Sequence, residues 1–201
     1  MNEQVNVDER LRGLISRIER CLRCYEKFKN YGKKDRMRVR NWYNEDPWFF
    51  PPSENGKVKG FFGTGKVFFV CLRPSLSGKI PNYALLRFYG LIEKYGFGDA
   101  HMTDLIKCRA KAGEMTNKDI EHALKNCLTY LKEEIEILKP NLVIAVGSSV
   151  YEKLIDYREA LGLTSTTRIE KMTHFSYRYA KGMEEMLDRE LREIKARSQK
   201  S

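Results

Sequence analysis

The residues best suited to chemistry in this sequence are its cysteines. Cys21 and Cys24 are separated by two residues, and two thiolates one helical turn apart can hold a single metal centre. Three further cysteines follow, at Cys71, Cys108 and Cys127. In a reducing compartment, cysteines serve as metal ligands or as buried thiols more often than as disulfides. We therefore expect either a metal site or a set of buried thiols.

A strand and a helix in the middle of the chain present two of these cysteines. A short apolar strand is predicted from Met102 to Ile106, and it leaves through Lys107, Cys108 and Arg109. A helix follows, because Thr116 is a suitable N-cap and apolar residues recur at helical spacing from Ile120 to Leu138. Cys127 falls on the buried face of this helix. Cys108, at the strand exit, is a candidate neighbour for it.

The remaining apolar runs indicate the fold class. Residues 66–72 and 141–147 are continuous apolar runs of the kind that is buried on both faces of a parallel sheet. Strands near residues 67, 102, 142 and 169 alternate with helical patterns, which is typical of an α/β fold with a mostly parallel sheet. We expect a single domain over residues 1–201. An N-terminal helix is predicted over residues 8–24, and an irregular basic and aromatic insertion over residues 25–60.

Polar residues follow each predicted strand, where an α/β protein builds its site. In parallel sheets the active site lies beyond the carboxyl ends of the strands. Four short segments should therefore meet there: Arg73-Pro74-Ser75, Thr103-Asp104, Gly147-Ser148 and His174-Phe175-Ser176. The junction at Ser148 could also bind an anion on the free amides of a helix N-terminus, although ordinary turns between strands and helices look the same.

Charge favours a polyanionic partner. The net charge is +10 and the pI is near 9.3, and Lys and Arg clusters gain affinity for nucleic acid by releasing counterions from phosphates. A basic protein with no such partner is the alternative. The aromatic residues of the insertion could stack on bases, but we favour a role in pinning that loop to the body: Trp42, Tyr43, Trp48, Phe49 and Phe50.

The sequence shows no targeting or membrane signal. It lacks a run of about 18 apolar residues, and its first ten residues have neither a basic nor an apolar signal region. We therefore expect a cytoplasmic protein. Glutamine occurs only at Gln4 and Gln199 while charged residues make up 32%, a usage that fits a thermophile.

Taken in order, these motifs resemble the uracil-DNA glycosylase superfamily, and the cysteines resemble those of its iron–sulfur branch, family 4. That branch has a Cys-x2-Cys pair near the N-terminus, a Thr-Asn-x-x-Lys-Cys-Arg strand exit, and a helical cysteine ahead of Lys-Pro and an apolar strand. The matching residues here are Cys21, Cys24, Thr103, Asp104, Lys107, Cys108, Arg109, Cys127, Lys139 and Pro140. Residues 62–66 also resemble the Phe-Gly-x-Gly lead-in to the first strand of that branch.

The resemblance implies a three-layer α/β/α fold, a [4Fe–4S] cluster and activity on DNA. The cluster would be held by Cys21, Cys24, Cys108 and Cys127, although four thiolates can equally bind zinc. Members of the superfamily turn a base out of the DNA helix and hydrolyse its N-glycosidic bond. His174 then matches the residue that donates a hydrogen bond to the departing base.

Two positions depart from the family pattern. After the first strand, members carry a Glu, Asp or Asn that positions the attacking water, and this chain has Leu72 and Arg73 there. Arg73 could instead stabilise the leaving base or bind a phosphate. A replacement carboxylate could be Asp104 or could come from the insertion, where the candidates are Glu45, Asp46 and Glu54.

Asp104 replaces an Asn that reads uracil, and an ionised Asp can only accept hydrogen bonds. A protonated Asp would restore a donor, but this requires a strongly raised pKa. We therefore expect uracil recognition to be altered or weak. Alternatively, Asp104 does not contact the base and caps the loop beside the cluster.

The resemblance also implies residues that contact DNA. The base would be bound by Asp104, Tyr83, Pro74 and Ser75, and the phosphates or the gap left by the base would be contacted by Ser176, Tyr177, Arg178, Ser148, Lys107 and Arg109. The leading hypothesis is a monomeric DNA glycosylase. The alternatives are an inactive iron–sulfur protein of the same fold that binds nucleic acid, and a zinc-containing α/β domain that binds a nucleotide or a small molecule.

Overall fold

A computed structural model describes residues 2–21, 23–24, 49–74, 82–107, 117–176 and 182–199. The helices are α1 (Asn2–Glu19), α2 (Tyr83–Lys94), α3 (Asn117–Leu138), α4 (Ser148–Asp156) and α5 (Met183–Ser198), with a short 3-10 helix at Gly60–Phe62. The strands are β1 (Val67–Cys71), β2 (His101–Asp104), β3 (Leu142–Val146) and β4 (Arg168–Met172).

The four strands form one parallel sheet in the order β2-β1-β3-β4. The side chains of β1 alternate between the two faces. Phe68 and Val70 pack with α1, α3 and α4 on one face, and Phe69 and Cys71 pack with α2 and α5 on the other. Burial on both faces explains why β1 and β3 are continuous apolar runs. The predicted three-layer α/β/α fold is confirmed.

Two boundaries differ from the predicted ones. The N-terminal helix spans Asn2–Glu19 instead of 8–24, so Cys21 and Cys24 lie in the turns that follow it and not on the helix. Strand β2 begins at His101 and ends at Asp104, ahead of the predicted Ile106. Its pairing nevertheless continues, because the Leu105 and Ile106 amides donate to the carbonyls of Cys71 and Leu72.

The described part of the insertion, residues 49–60, is irregular but attached to the body. Phe49 packs edge-on against Phe61, and Phe50 is buried beside α2. The Phe61 amide donates to the Phe50 carbonyl, and the Tyr89 hydroxyl donates to the Pro51 carbonyl. These contacts agree with the pinning interpretation for Phe49 and Phe50. Trp42, Tyr43 and Trp48 lie outside the described residues.

Within the described ranges, none of the helices is both long enough and apolar enough to cross a membrane.

Candidate functional site

The carboxyl edge of the sheet brings several of the predicted residues together. Arg73 and Pro74 follow β1, Asp104 ends β2, and His174 follows β4 by two residues. The β1–β2 register places Asp104 directly beside Cys71. Pro74 is buried and Arg73 is half-buried, so this edge has an enclosed side next to the end of β1.

Hydrogen bonds fix His174 through its chain neighbour Thr173 and through its own ring nitrogen Nδ1. Glu190 of α5 accepts hydrogen bonds from the Thr173 amide (2.8 Å) and the Thr173 hydroxyl (2.9 Å). On the other side, the Ser176 amide donates to Nδ1 of His174 (3.2 Å), and the Ser176 hydroxyl lies 2.8 Å from the same nitrogen. A backbone amide can only donate, so Nδ1 must be unprotonated and the proton of the neutral ring lies on Nε2.

Burial keeps this histidine neutral. Removal from water lowers the pKa of His174, because the charged imidazolium loses its solvation. The ring stacks on Phe175 with a centroid distance of 4.8 Å, and Phe175 stacks on Phe88 of α2 at 4.6 Å. Gly147, at the end of β3, approaches the same ring. The site therefore offers a fixed, uncharged N–H donor.

The backbone conformation of residue 147 requires glycine, and this residue lies within contact distance of His174. Its φ of 109° with ψ of 149° lies in a region that is essentially restricted to glycine. A Cβ at this residue would lie 3.8 Å from the Cβ of His174. Its amide donates to the Met172 carbonyl at 2.8 Å, which fastens the end of β3 to the end of β4. Ser148 follows it as an exposed residue at the start of α4.

Asp104 is the buried carboxyl group of the site. The residue is 3% exposed, and its Oδ1 has no hydrogen-bond partner among the residues that the structure describes. Burial raises the pKa of Asp104 to about 8; the positive charge of Lys107 lowers it in part, and the negative charge of Glu134 raises it. Such a group is mostly protonated near neutral pH.

A buried ionic cluster lies behind Asp104, between β2 and α3. The Lys107 ammonium donates to the Thr103 hydroxyl at 2.6 Å and lies 2.8 Å from Oε1 of Glu134. His101 Nε2 lies 3.5 Å from Oε2 of the same carboxylate, and the His101 ring packs against Phe61 and Phe68. Burial raises the pKa of Glu134, but Lys107 and His101 outweigh that effect and lower it.

Sequence reasoning missed His101, Glu134 and Glu190. Glu134 carried a usable signal: it lies on the same helical stripe as Cys127, Leu131 and Leu138, where a buried carboxylate needs a partner. The ammonium of Lys107 is almost fully buried, with internal partners on Thr103 and Glu134. Its predicted contact with DNA stays a prediction, and the observed arrangement gives it an internal role.

The three described cysteines of the predicted metal site converge near the N-terminal half of α3. Cys24 and Cys127 belong to the same core cluster, and Cys21 packs against it. The Asn126 amide group donates to Cys24 Sγ at 3.4 Å. Cys21 forms a hydrogen bond with Tyr130, one turn further along α3, and after burial this bond is the second cause that raises the pKa of Tyr130. All three thiols therefore lie around one turn of α3.

The fourth cysteine would enter from the exit of β2. The Lys107 amide donates to Cys127 Sγ at 3.4 Å, so the chain reaches this thiol one residue before Cys108. Cys108 itself lies outside the described residues. Among the described side chains alone, no group of three or more His, Cys, Asp or Glu residues is arranged to hold a metal ion. Thiols are the donors that a structural metal site uses, and Cys108 would have to supply the fourth.

The remaining predicted contacts lie on the surface or outside the described ranges. Tyr83 is 73% exposed at the start of α2, with the Arg87 guanidinium 5.0 Å from its ring centre. Ser176 is also exposed. Five predicted site residues lie outside the described ranges: Ser75, Cys108, Arg109, Tyr177 and Arg178.

Comparison with known proteins agrees with this geometry. No curated protein matched the chain. A model of the uracil DNA glycosylase superfamily matches residues 54–195, a range that contains the whole sheet, Asp104 and His174 but not Cys21 or Cys24. The match spans well over half of the 201 residues. With a parallel sheet that carries Asp104 and His174 at its carboxyl edge, the chain belongs to the uracil DNA glycosylase superfamily.

Proposed function

We propose that the protein is a DNA glycosylase that binds DNA, turns out a damaged or deaminated base such as uracil, and hydrolyses its N-glycosidic bond. The observation that carries this proposal is the donor at His174. Its Nδ1 accepts from the Ser176 amide, so Nε2 carries the proton of the neutral ring and can act as a donor at the carboxyl edge. A fixed donor of this kind stabilises negative charge that develops on a base oxygen.

The reaction needs a good leaving group more than a strong base. The bond between the sugar C1′ and the base nitrogen breaks, and its electron pair stays with the base. His174 donates a hydrogen bond to a base oxygen while that charge accumulates. Water then forms the new bond to C1′ and releases its proton to solvent. The products are the free base and an abasic site in an intact strand.

The residues after β1 fit this order of events. Leu72 and Arg73 stand where a water-positioning carboxylate is expected, and neither can accept a proton. Among the candidate carboxylates of the insertion, Glu54 does not take this role, because its turn forms hydrogen bonds with Glu93 and Gly98 at the amino edge of the sheet. Glu45 and Asp46 lie outside the described residues. We assign Arg73 to the anionic leaving base or to a phosphate. The late attack of water then needs no dedicated carboxylate.

The test is an abasic-site assay on single- and double-stranded oligonucleotides that carry uracil, hypoxanthine, xanthine or a mismatched base. We expect excision of at least one of these bases. The variant His174→Ala should lose about 10²- to 10³-fold in the excision rate, because it removes the N–H donor to the developing charge. The exposed Asp156→Asn variant is the control and should retain the wild-type rate.

A second candidate is a DNA-binding member without catalytic activity, which the replacement of the carboxylate after β1 by Arg73 favours. It predicts tight, salt-sensitive DNA binding and no excision of any of the four bases. Equal excision by the wild type and His174→Ala would contradict the donor role of His174.

We also propose that Cys21, Cys24, Cys108 and Cys127 hold a [4Fe–4S] cluster, with zinc as the alternative metal. Support comes from the three thiols around one turn of α3 and from the contact between the Lys107 amide and Cys127. When bound, the group would act as a covalent cross-link between the turn after α1, the exit of β2 and α3.

Anaerobically purified protein separates these metals, because an iron–sulfur cluster absorbs visible light and zinc does not. Cys127→Ser should lose the bound metal. Cys71→Ala is the matched control, since Cys71 is equally buried but lies on the other face of the sheet. Retention of the metal in Cys127→Ser, or its loss in Cys71→Ala, would argue against this ligand set.

A further inference from the structure

We infer that Asp104 meets the extruded base as a neutral carboxylic acid that donates to a carbonyl oxygen and accepts from the adjacent ring N–H. The inference rests on the proposed glycosylase function and specifies its substrate class. The bases concerned present a carbonyl oxygen next to a ring N–H, as uracil does with O4 and N3–H and hypoxanthine does with O6 and N1–H.

The first observation is an unpartnered polar atom at the carboxyl edge. Asp104 is 3% exposed, and among the described residues nothing forms a hydrogen bond with its Oδ1. A buried polar atom without a partner is costly, and such atoms are rare outside functional sites. This oxygen lies at the last position of β2, on the same sheet edge as His174. A ligand there would satisfy it.

The second observation is that the neighbouring cation, Lys107, is already paired with another carboxylate, Glu134. Lys107 donates to Thr103 and lies 2.8 Å from Glu134, which is itself fully buried. One ammonium and one carboxylate balance each other in this pair. Among the residues that the structure describes, a second negative charge on Asp104 would have no counter-ion of its own, so the uncharged form is favoured.

The titratable groups around Asp104 on β1 and α2 are themselves neutral near pH 7, so neither supplies a positive charge that would favour the ionised form of Asp104. Cys71 of β1 lies beside it in the sheet, and burial followed by the charge of Asp104 raises the pKa of that thiol. Burial, and then the nearby Cys71, raises the pKa of Tyr89 on α2. Both groups are therefore neutral near pH 7. Burial raises the pKa of Asp104 itself to about 8, with Lys107 opposing and Glu134 adding to that effect.

The protonation state decides which base edge Asp104 can read. A carboxylic acid has one donor and one acceptor, the same pair that an Asn amide offers. A carboxylate has acceptors only, and one of its oxygens would then face the carbonyl oxygen of uracil without a proton between them. Ionisation of Asp104 should therefore abolish recognition of uracil and hypoxanthine. It should leave His174 unchanged, because burial already keeps that residue neutral.

The experiment is a single-turnover pH profile of uracil and hypoxanthine excision with the intact, metal-loaded protein. For the wild type, the excision rate should fall about tenfold for each pH unit above about 8, as the acid form is titrated away. Asp104→Asn should stay active with a flat profile over the same range. Both proteins act on the same substrate, so ionisation of the base cancels in the comparison. The exposed Asp156→Asn variant is the control and should follow the wild-type profile.

A second measurement follows protonation directly, without activity. The carbon-13 signal of the Asp104 carboxyl, assigned by its absence in Asp104→Asn, should titrate with a midpoint near pH 8. A midpoint near the ordinary value of an aspartic acid would overturn the inference, as would excision by the wild type with no dependence on pH. In both cases the glycosylase function would stand. A midpoint near 8 without excision of any base would instead overturn the glycosylase proposal, and the base-reading role with it.

Discussion

At the scale of single residues, burial shifts the pKa values of Asp104 and His174 in opposite directions, and both shifts favour the uncharged side chain. Loss of solvation disfavours whichever form is charged, so it raises the pKa of the carboxyl group and lowers that of the imidazole. Both side chains are then neutral near pH 7. In the proposed site, an N–H donor on His174 and a donor and an acceptor on Asp104 would suit a base that carries two carbonyl oxygens and a ring N–H between them.

The raised pKa of Asp104 also predicts how stability changes with pH. Between its ordinary value of 3.8 and about 8, the unfolded chain has released this proton while the folded protein keeps it. Raising the pH through this window therefore favours unfolding. Urea unfolding should show the free energy of unfolding of the wild type falling relative to that of Asp104→Asn, by up to about 1.4 kcal/mol per pH unit.

Above about pH 8 the difference between the two proteins should become constant, since both states of the wild type have then lost the proton. Asp156→Asn, at an exposed position, should run parallel to the wild type throughout. Parallel curves for the wild type and Asp104→Asn between pH 5 and pH 8 would show an ordinary aspartate.

At the scale of secondary-structure elements, α3 and β2 are joined by the Lys107–Glu134 pair. The helix supplies Glu134 and Cys127, and the strand exit supplies the ammonium and the amide of Lys107. The four residues from Asp104 to Lys107 therefore connect Asp104, whose Oδ1 has no hydrogen-bond partner among the described residues, to the thiol of Cys127. Because the pair is buried, its two charges depend on each other and removal of either one is expensive.

Neighbouring glutamates on α3 provide a matched test of this pair. Glu134→Gln leaves the buried Lys107 ammonium without its counter-ion and should lower the free energy of unfolding by about 3–5 kcal/mol. Glu133→Gln removes an exposed ion pair with Arg17 and should change it by less than about 1 kcal/mol. Urea unfolding of the two variants measures both values, and equal effects would mean that the buried pair contributes no more than a surface one.

At the scale of the whole molecule, a net charge of +10 supports the DNA partner that the family implies. Phosphate contacts release condensed counterions, so binding should weaken linearly in a plot of log affinity against log salt concentration. Base readout at Asp104 and His174 is local and should add little to that slope. We therefore expect salt to change the affinity for DNA without changing which base is recognised.

Binding of a fluorescent uracil-containing oligonucleotide tests the contribution of charge. We expect the affinity to fall at least about tenfold between roughly 50 and 200 mM salt, which corresponds to a few phosphate contacts. A peptide nucleic acid of the same base sequence has no phosphates, and it should bind weakly with no such slope. Similar salt dependence for the two ligands would exclude phosphate contacts as its cause.

The sequence by itself determined the architecture. The runs that became β1 and β3 are apolar at every position, and the helical spacing along α3 is regular, so local patterns sufficed to predict the parallel sheet and the edge where Asp104 and His174 lie. The order of motifs also sufficed for the superfamily. The end of α1 at Glu19 was not predictable, because the apolar spacing continues to Leu22 beyond the last helical residue.

Only the tertiary structure decided the electrostatics of the site. That Glu134 faces Lys107 and His101 depends on which face of α3 meets β2, and so does the lack of a partner for Oδ1 of Asp104 among the described residues. Sequence alone left Asp104 with either protonation state. A pKa depends on solvation and on charges brought close by contacts between distant parts of the chain, so the raised pKa of Asp104 follows from burial, with Lys107 lowering it and Glu134 raising it.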